Sequence, residues 1–136
     1  MTTGKQLFST LADGKLTVEI AAINYADPTG NQVLVQMEAA PINPSDLALL
    51  TGAADLENAE YSDGKFVASM PEPFFSAQKG RHGLRLPVGN EGAGTVIAAG
   101  EGEAAQALIG QRVACVPGSA YSQYCVADAG MCLPLG

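Results

Sequence analysis

Glycine, proline and aspartate clusters cut the apolar segments of this chain into short pieces, and this limits the folds open to it more than any other property. With 16 Gly and 8 Pro among 136 residues, turn formers recur before most apolar runs can complete the three or four turns of an average helix. Period-two alternation fills the pieces. Leu16, Val18, Ile20 and Ala22 fall on one face and Thr17, Glu19 and Ala21 on the other, which predicts a half-buried strand. A turn at residues 27–31 leads to a second strand over 32–40, and the two are expected to pair as a hairpin. Further strands are expected at Gly92–Ala99, 111–116 and 121–126. Short helices are expected at 47–50, N-capped by Ser45 or Asp46 and stopped near Gly52, and at 103–108. Many short strands with little helix predict a mainly β fold, a small barrel or sandwich. Only residues 53–86 break the pattern, and a connection that long reads as a functional flap or an insertion.

One domain accounts for this length, and roughly 65–70% of the unfolded surface can be buried without disulfides or metal. A net charge of −7 disfavours nucleic-acid and anionic-membrane partners unless basic groups cluster. Lys79, Arg81, His82 and Arg85 form the one local concentration; it reads as a solvated loop, with an anion site as the rival. No apolar run approaches the roughly 20 residues that span a bilayer, and the first residues lack a secretory h-region. A cytoplasmic protein is expected. Cys115, Cys125 and Cys132 lie ten and seven positions apart, match no Cys-x-x-Cys zinc spacing, and read as reduced core thiols.

Two constellations carry chemistry. In Pro87-Val88-Gly89-Asn90-Glu91-Gly92-Ala93-Gly94 an amide and a carboxylate sit between glycines, directly ahead of a strand. Glycine allows positive φ and close backbone approach, so such a segment can present its polar residues at the strand start, although an ordinary turn has the same composition. Gly89–Gly94 reads G-x-x-G-x-G and enters a strand, whereas the dinucleotide fingerprint G-x-G-x-x-G opens a helix, so no Rossmann half is present in the chain. In Pro41-Ile42-Asn43-Pro44-Ser45-Asp46, Pro44 biases Asn43 toward an extended conformation, leaving its amide free to donate and accept. For Asp46, stabilisation of a helix start is the simpler reading.

Asn43-Pro44-Ser45-Asp46, then Leu86-Pro87-Val88-Gly89-Asn90-Glu91-Gly92-Ala93-Gly94, Gly110-Gln111-Arg112-Val113 and Tyr121-Ser122-Gln123-Tyr124 together resemble the medium-chain dehydrogenase/reductase superfamily. The resemblance covers residues 16–135. It is to the N-terminal GroES-like substrate domain of the NAD(P)H:quinone oxidoreductase and enoyl-thioester reductase branches, and it implies a partly open β-barrel with a few short helices over residues 1–136. Zinc alcohol dehydrogenases of the superfamily place a Cys at the position of Asn43 and a His at that of Asn90. Amides are poor zinc ligands, so no zinc is expected.

The resemblance implies hydride reduction of a quinone, enone or enoyl thioester by NADPH or NADH, with Asn43 and Asn90 donating hydrogen bonds to the developing oxyanion. It also implies cofactor contacts from Asn43 and Asp46, and a structural role at the site for Gly89, Glu91, Gly92 and Gly94. Tyr61 is the candidate proton donor by analogy with enoyl reductases, an exposed surface tyrosine being the competing reading. The chain stops at Leu133-Pro134-Leu135-Gly136, where the resemblance leads on to a cofactor-binding Rossmann domain. A fragment inactive by itself is therefore expected, from a full-length homodimer, with a stand-alone GroES-like binding module as the alternative.

Overall fold

Asp13 and Gly14 both adopt positive φ, 54° and 73°, and set the first step of the architecture. A two-residue turn of this kind matches the right-handed twist of paired strands. It joins β1 (Thr2–Ala12) to β2 (Lys15–Tyr25) in an eleven-residue antiparallel ladder, Ala12 opposite Lys15 and Thr2 opposite Tyr25. The computed structural model describes residues 1–136. The expected hairpin between the strands near 16–22 and 32–40 does not form. The partners of β2 are β1 and β5 (Lys65–Ser69), while β3 (Gln32–Ala39) lies in a second sheet between β7 (Gly92–Ala99) and β9 (Tyr124–Asp128). The six residues between β2 and β3 carry the chain from one sheet to the other instead of folding it back.

Ten strands and three short helices make the fold mainly β, as expected, and its two five-stranded sheets do not close into one cylinder. The first runs β4 (Glu60–Ser62), β5, β2, β1, β6 (Arg85–Pro87); the second runs β10 (Cys132–Pro134), β8 (Arg112–Cys115), β7, β3, β9. Just ahead of β9 the chain crosses between them: the Leu7 amide donates to the Tyr121 carbonyl and the Gln123 amide to the Lys5 carbonyl, each at 2.9 Å. Residues 53–86 are not structureless. Asp63 and Gly64 repeat the positive-φ turn and fold β4 onto β5, and two short helical turns follow, α2 (Phe74–Ala77) and a 3-10 turn at Lys79–Arg81.

Each sheet has its own core. Val33, Val35, Val96, Val113 and Cys125 pack under the second sheet with Leu108, which follows α3 (Glu103–Gln106). Leu11, Leu16, Val18 and Met70 fill the first. No helix is long and apolar enough to cross a membrane.

The basic concentration at 79–85 is not a solvated loop. Arg81 donates to the buried Ser9 hydroxyl at 2.8 Å, and Ser9 in turn donates to the Leu49 carbonyl. Arg85 pairs with Glu19 at 3.3 Å with its guanidinium over the Phe8 ring, and the His82 ring stacks on Phe75. Arg81 and Arg85 are spent on the first sheet because β6 lays this segment against β1, while Lys79 stays exposed.

Candidate functional site

Proline fits the first turn of a helix, where its missing N–H would have no partner. Accordingly α1 (Pro44–Leu50) starts at Pro44, and the N-cap is Asn43, extended at φ −90° and ψ 157°, rather than Ser45 or Asp46. Asp46 falls at the third helical position, where its carboxylate turns back to accept the Asn43 amide at 2.9 Å. Its other oxygen accepts the Asn90 amide at 2.9 Å, 44 residues along the chain. Asp46 is only 1% exposed. The Tyr121 hydroxyl completes the cluster, 2.8 Å from the Pro41 carbonyl and 3.1 Å from the Asp46 carboxylate. The Asn43 amide holds the Asp46 carboxyl below its usual range against the opposing effect of burial, with help from the Asn90 amide and Tyr121. Burial, and then the neighbouring carboxylate, push the Tyr121 phenol up, so the proton stays on tyrosine.

Two side-chain amides flank this hub. Asn90 donates to the Ser45 hydroxyl at 2.6 Å and Asn43 to the Glu91 carboxylate at 3.3 Å, so each side of the site holds the other. The loop that carries Asn90 turns at Gly89, φ 99°, where a Cβ would lie 2.7 Å from the Tyr121 nitrogen. Beyond it β7 runs against β3 so closely that a Cβ on Gly94 would overlap the Gln36 carbonyl oxygen, and one on Gly92 would press on Met37 and the Ala39 carbonyl. Glycine is what lets the loop and strand approach their neighbours here. Beside the hub opens a mostly apolar cleft of about 830 Å³, walled by Pro41, Glu91, Gly92, Cys115, Met131 and Leu133 among others.

The structure thus brings together Asn43, Asp46, Asn90 and Glu91, with Gly89, Gly92 and Gly94 shaping the backbone that carries them. Tyr61 lies outside this cluster. It is 72% exposed on β4, tilts against Phe66 and borders a separate shallow groove. Asp46, expected to contact a cofactor, has both oxygens engaged by protein groups and no free surface to offer one. Tyr121 is the member that sequence reasoning missed as part of the site; its Tyr-Ser-Gln-Tyr context reads as strand, and nothing local signals a partner 75 residues away. Removing the hydroxyl in Tyr121→Phe is expected to cost about 1 kcal/mol, read as a lower urea midpoint at unchanged slope.

A zinc ion does not suit these residues. The side chains flanking the hub are two neutral amides, Asn43 and Asn90, and the Glu91 carboxylate already bonded to Asn43, and nowhere do three His, Cys, Asp or Glu side chains converge.

A family model for the alcohol dehydrogenase GroES-like domain matches residues 29–136. Among solved structures, a Mesorhizobium loti protein described as an NADPH:quinone reductase is 26% identical with a TM-score of 0.63; the match covers 100% of this chain and 38% of that one. A Bacillus thuringiensis protein described in the same way is 23% identical, with a TM-score of 0.67, over 100% of this chain and 34% of that one. A Pseudomonas syringae quinone oxidoreductase is 24% identical, with a TM-score of 0.63, over 98% and 34%. The chain therefore spans between 34% and 38% of the length of these structures. No curated protein sequence matches it. From its Asn-Pro-Ser-Asp helix start to its glycine-flanked Asn-Glu loop, the chain belongs to the alcohol dehydrogenase GroES-like domain family.

Proposed function

We propose that this domain is the substrate half of a zinc-independent, NAD(P)H-dependent reductase acting on a quinone or another activated C=C bond, with the cofactor held mainly by a second, nucleotide-binding domain. The observation that carries the reading is the pair of side-chain amides on the Asp46 hub, Asn43 bonded to Glu91, which itself lines the apolar cleft, and Asn90 bonded to Ser45. Addition of hydride to a quinone or enone places negative charge on a carbonyl oxygen. Fixed N–H donors stabilise that charge without a metal. The bound nicotinamide supplies the hydride; the residues of this chain supply orientation, donors and an apolar wall.

In this reading Asn43 and Asn90 exchange their present partners for the substrate oxygen, the 3.3 Å bond from Asn43 being the easier to give up, and Asn43 would also help to hold the cofactor. Asp46 is a positioning residue: it holds the Asn43 and Asn90 amides and touches no ligand. Glu91 keeps the loop in place.

Duroquinone, whose substituted ring carbons discourage thiol addition, tests the proposal by NMR titration of the labelled chain. The expected result is shifts at the amides of Glu91, Gly92 and Cys132, with affinity reduced three- to tenfold in Asn90→Ala, the loss of about one hydrogen bond. Shifts with a crotonyl thioester and none with the quinone transfer the reading to the enoyl-thioester branch. No shift with either ligand overturns it.

A further inference from the structure

The charges of this chain are sorted between its two sheets. Of the seven basic residues, Lys5, Lys15, Lys65 and Arg85 lie on strands of the first sheet, and Lys79 and Arg81 on the short turn that leads into β6. Arg112 on β8 is the one base of the second sheet, and its guanidinium is engaged by Glu38 at 3.3 Å. The apolar cleft lies on that second sheet and the loops entering it. Glu91 is the single charged side chain lining it, and it is exposed. Three more carboxylates stand around the walls. Glu38 precedes Ala39, Asp128 accepts the Gly130 amide at 2.8 Å, and the Asn43 amide, with the Asn90 amide and Tyr121, keeps the Asp46 carboxyl below its usual range and so ionised. Of these four acids only Glu38 has a cation within ion-pair distance.

We propose that Glu91 is a specificity-determining residue that confines the cleft to uncharged, lipophilic carbonyl compounds, quinones without acidic substituents foremost, a selection that rests on the reductase function proposed above. An anion entering an apolar cleft sheds hydration and needs a counter-charge or several N–H donors in exchange. Here it meets a carboxylate. Asn43 donates to Glu91 at 3.3 Å and so holds that negative charge at the cleft wall. A neutral quinone bears no such cost, because its oxygen becomes negative only as hydride arrives, when the Asn43 and Asn90 donors can take it. Discrimination of this kind works by repelling the wrong ligand rather than by tightening the right one. Two like charges roughly 7 Å apart, in a setting half protein and half water with an effective dielectric near 40, repel enough to lower affinity roughly five- to tenfold.

A matched pair of ligands tests the selection: a benzoquinone with three ring methyls and a propionate arm, and its methyl ester. The two share ring and arm and differ in charge, and full ring substitution discourages thiol addition. NMR titration of the labelled 136-residue chain gives both affinities from the Glu91 and Gly92 amides. At low ionic strength the ester should bind roughly five- to tenfold more tightly than the acid. The ratio should shrink toward one near 1 M salt, where the screening length is about 3 Å. In Glu91→Gln the low-salt ratio should fall at least threefold. Equal affinities for acid and ester, or a ratio unmoved by salt or by Glu91→Gln, would overturn the selection and leave the reductase function standing; the salt series decides even if the variant does not fold. No shift with either compound ends the quinone function and the selection together.

Discussion

Replacing Gly94 with alanine is expected to lower the thermal midpoint by roughly 10–15 °C, a loss of about 3 kcal/mol at roughly 4 °C per kcal/mol for a chain of this size. The cause is backbone against backbone. A Cβ at this position overlaps the Gln36 carbonyl oxygen and crowds its carbon at 2.8 Å and the Met37 Cα at 2.9 Å, none of which can swing away as a flexible side chain would. Relief requires β7 to move off β3, and those two strands hold Val35 and Val96 in the core of the second sheet. Gly14→Ala is the control. That glycine, unlike Gly94, has positive φ, 73°, and nothing lies within 4 Å of the added carbon, so only the conformational penalty of about 1 kcal/mol applies. Thermal melts of the two variants by circular dichroism separate close packing from backbone strain. Equal midpoints would mean that β7 has room the structure does not give it.

The second large effect is expected at Asp46. Asp46→Asn keeps the shape but replaces one accepting oxygen with an NH₂ that must face either the Asn43 or the Asn90 amide, donor against donor, in a site closed to water. The midpoint at pH 7 should fall by roughly 8 °C or more, and the Asn90 loop should lose amide-exchange protection. The pH dependence has a definite sign. The folded state depresses the Asp46 pKa below its ordinary 3.8, so the carboxylate's stabilisation is complete well above that value and disappears as pH falls through the lower folded value. The gap between wild type and Asp46→Asn should therefore be widest near neutrality and shrink below about pH 4. A constant gap down to pH 2 would show that shape rather than charge holds the site together. Because Asp46 acts through the backbone of Asn43 and Asn90, the variant should weaken duroquinone binding without abolishing it, and its pH profile identifies the positioning role.

The sequence made the fold class readable because turn chemistry and alternation act locally. It misassigned the pairing because partners are chosen nonlocally. β1 escaped notice since three of its four buried positions hold Gly4, Gln6 and Ser9 and only Leu11 is apolar, the polar groups of Gln6 and Ser9 being satisfied by Tyr25, Leu49 and Arg81; alternation of apolar residues cannot reveal such a strand. The Asp13-Gly14 and Asp63-Gly64 turns were nevertheless present as strong hairpin signals, and reading them would have paired β1 with β2 and β4 with β5. At the site, Asn43, Asn90 and the glycines were recognisable from Pro and Gly constraints on their own backbone. The joining role of Asp46 was not, since its partners at positions 43, 90 and 121 come together only after both sheets have formed.

That dependence on distant partners sets an order of events during synthesis. β1 is made before every strand it pairs with, yet the Lys5 amide donates to the Gln123 side chain and the Lys5 carbonyl accepts the Gln123 amide, 118 residues later. A chain emerging from the ribosome can close the β1–β2 hairpin early, but one edge of β1 gains β6 only after residue 87 and its crossing contact only after residue 123. Contacts of such long sequence separation slow folding because the loop between them must be closed first. Until then that edge of the N-terminal strand stays open, with Gln6, Leu7 and Phe8 bare, and the nascent chain is most prone to pair with a neighbour during this interval.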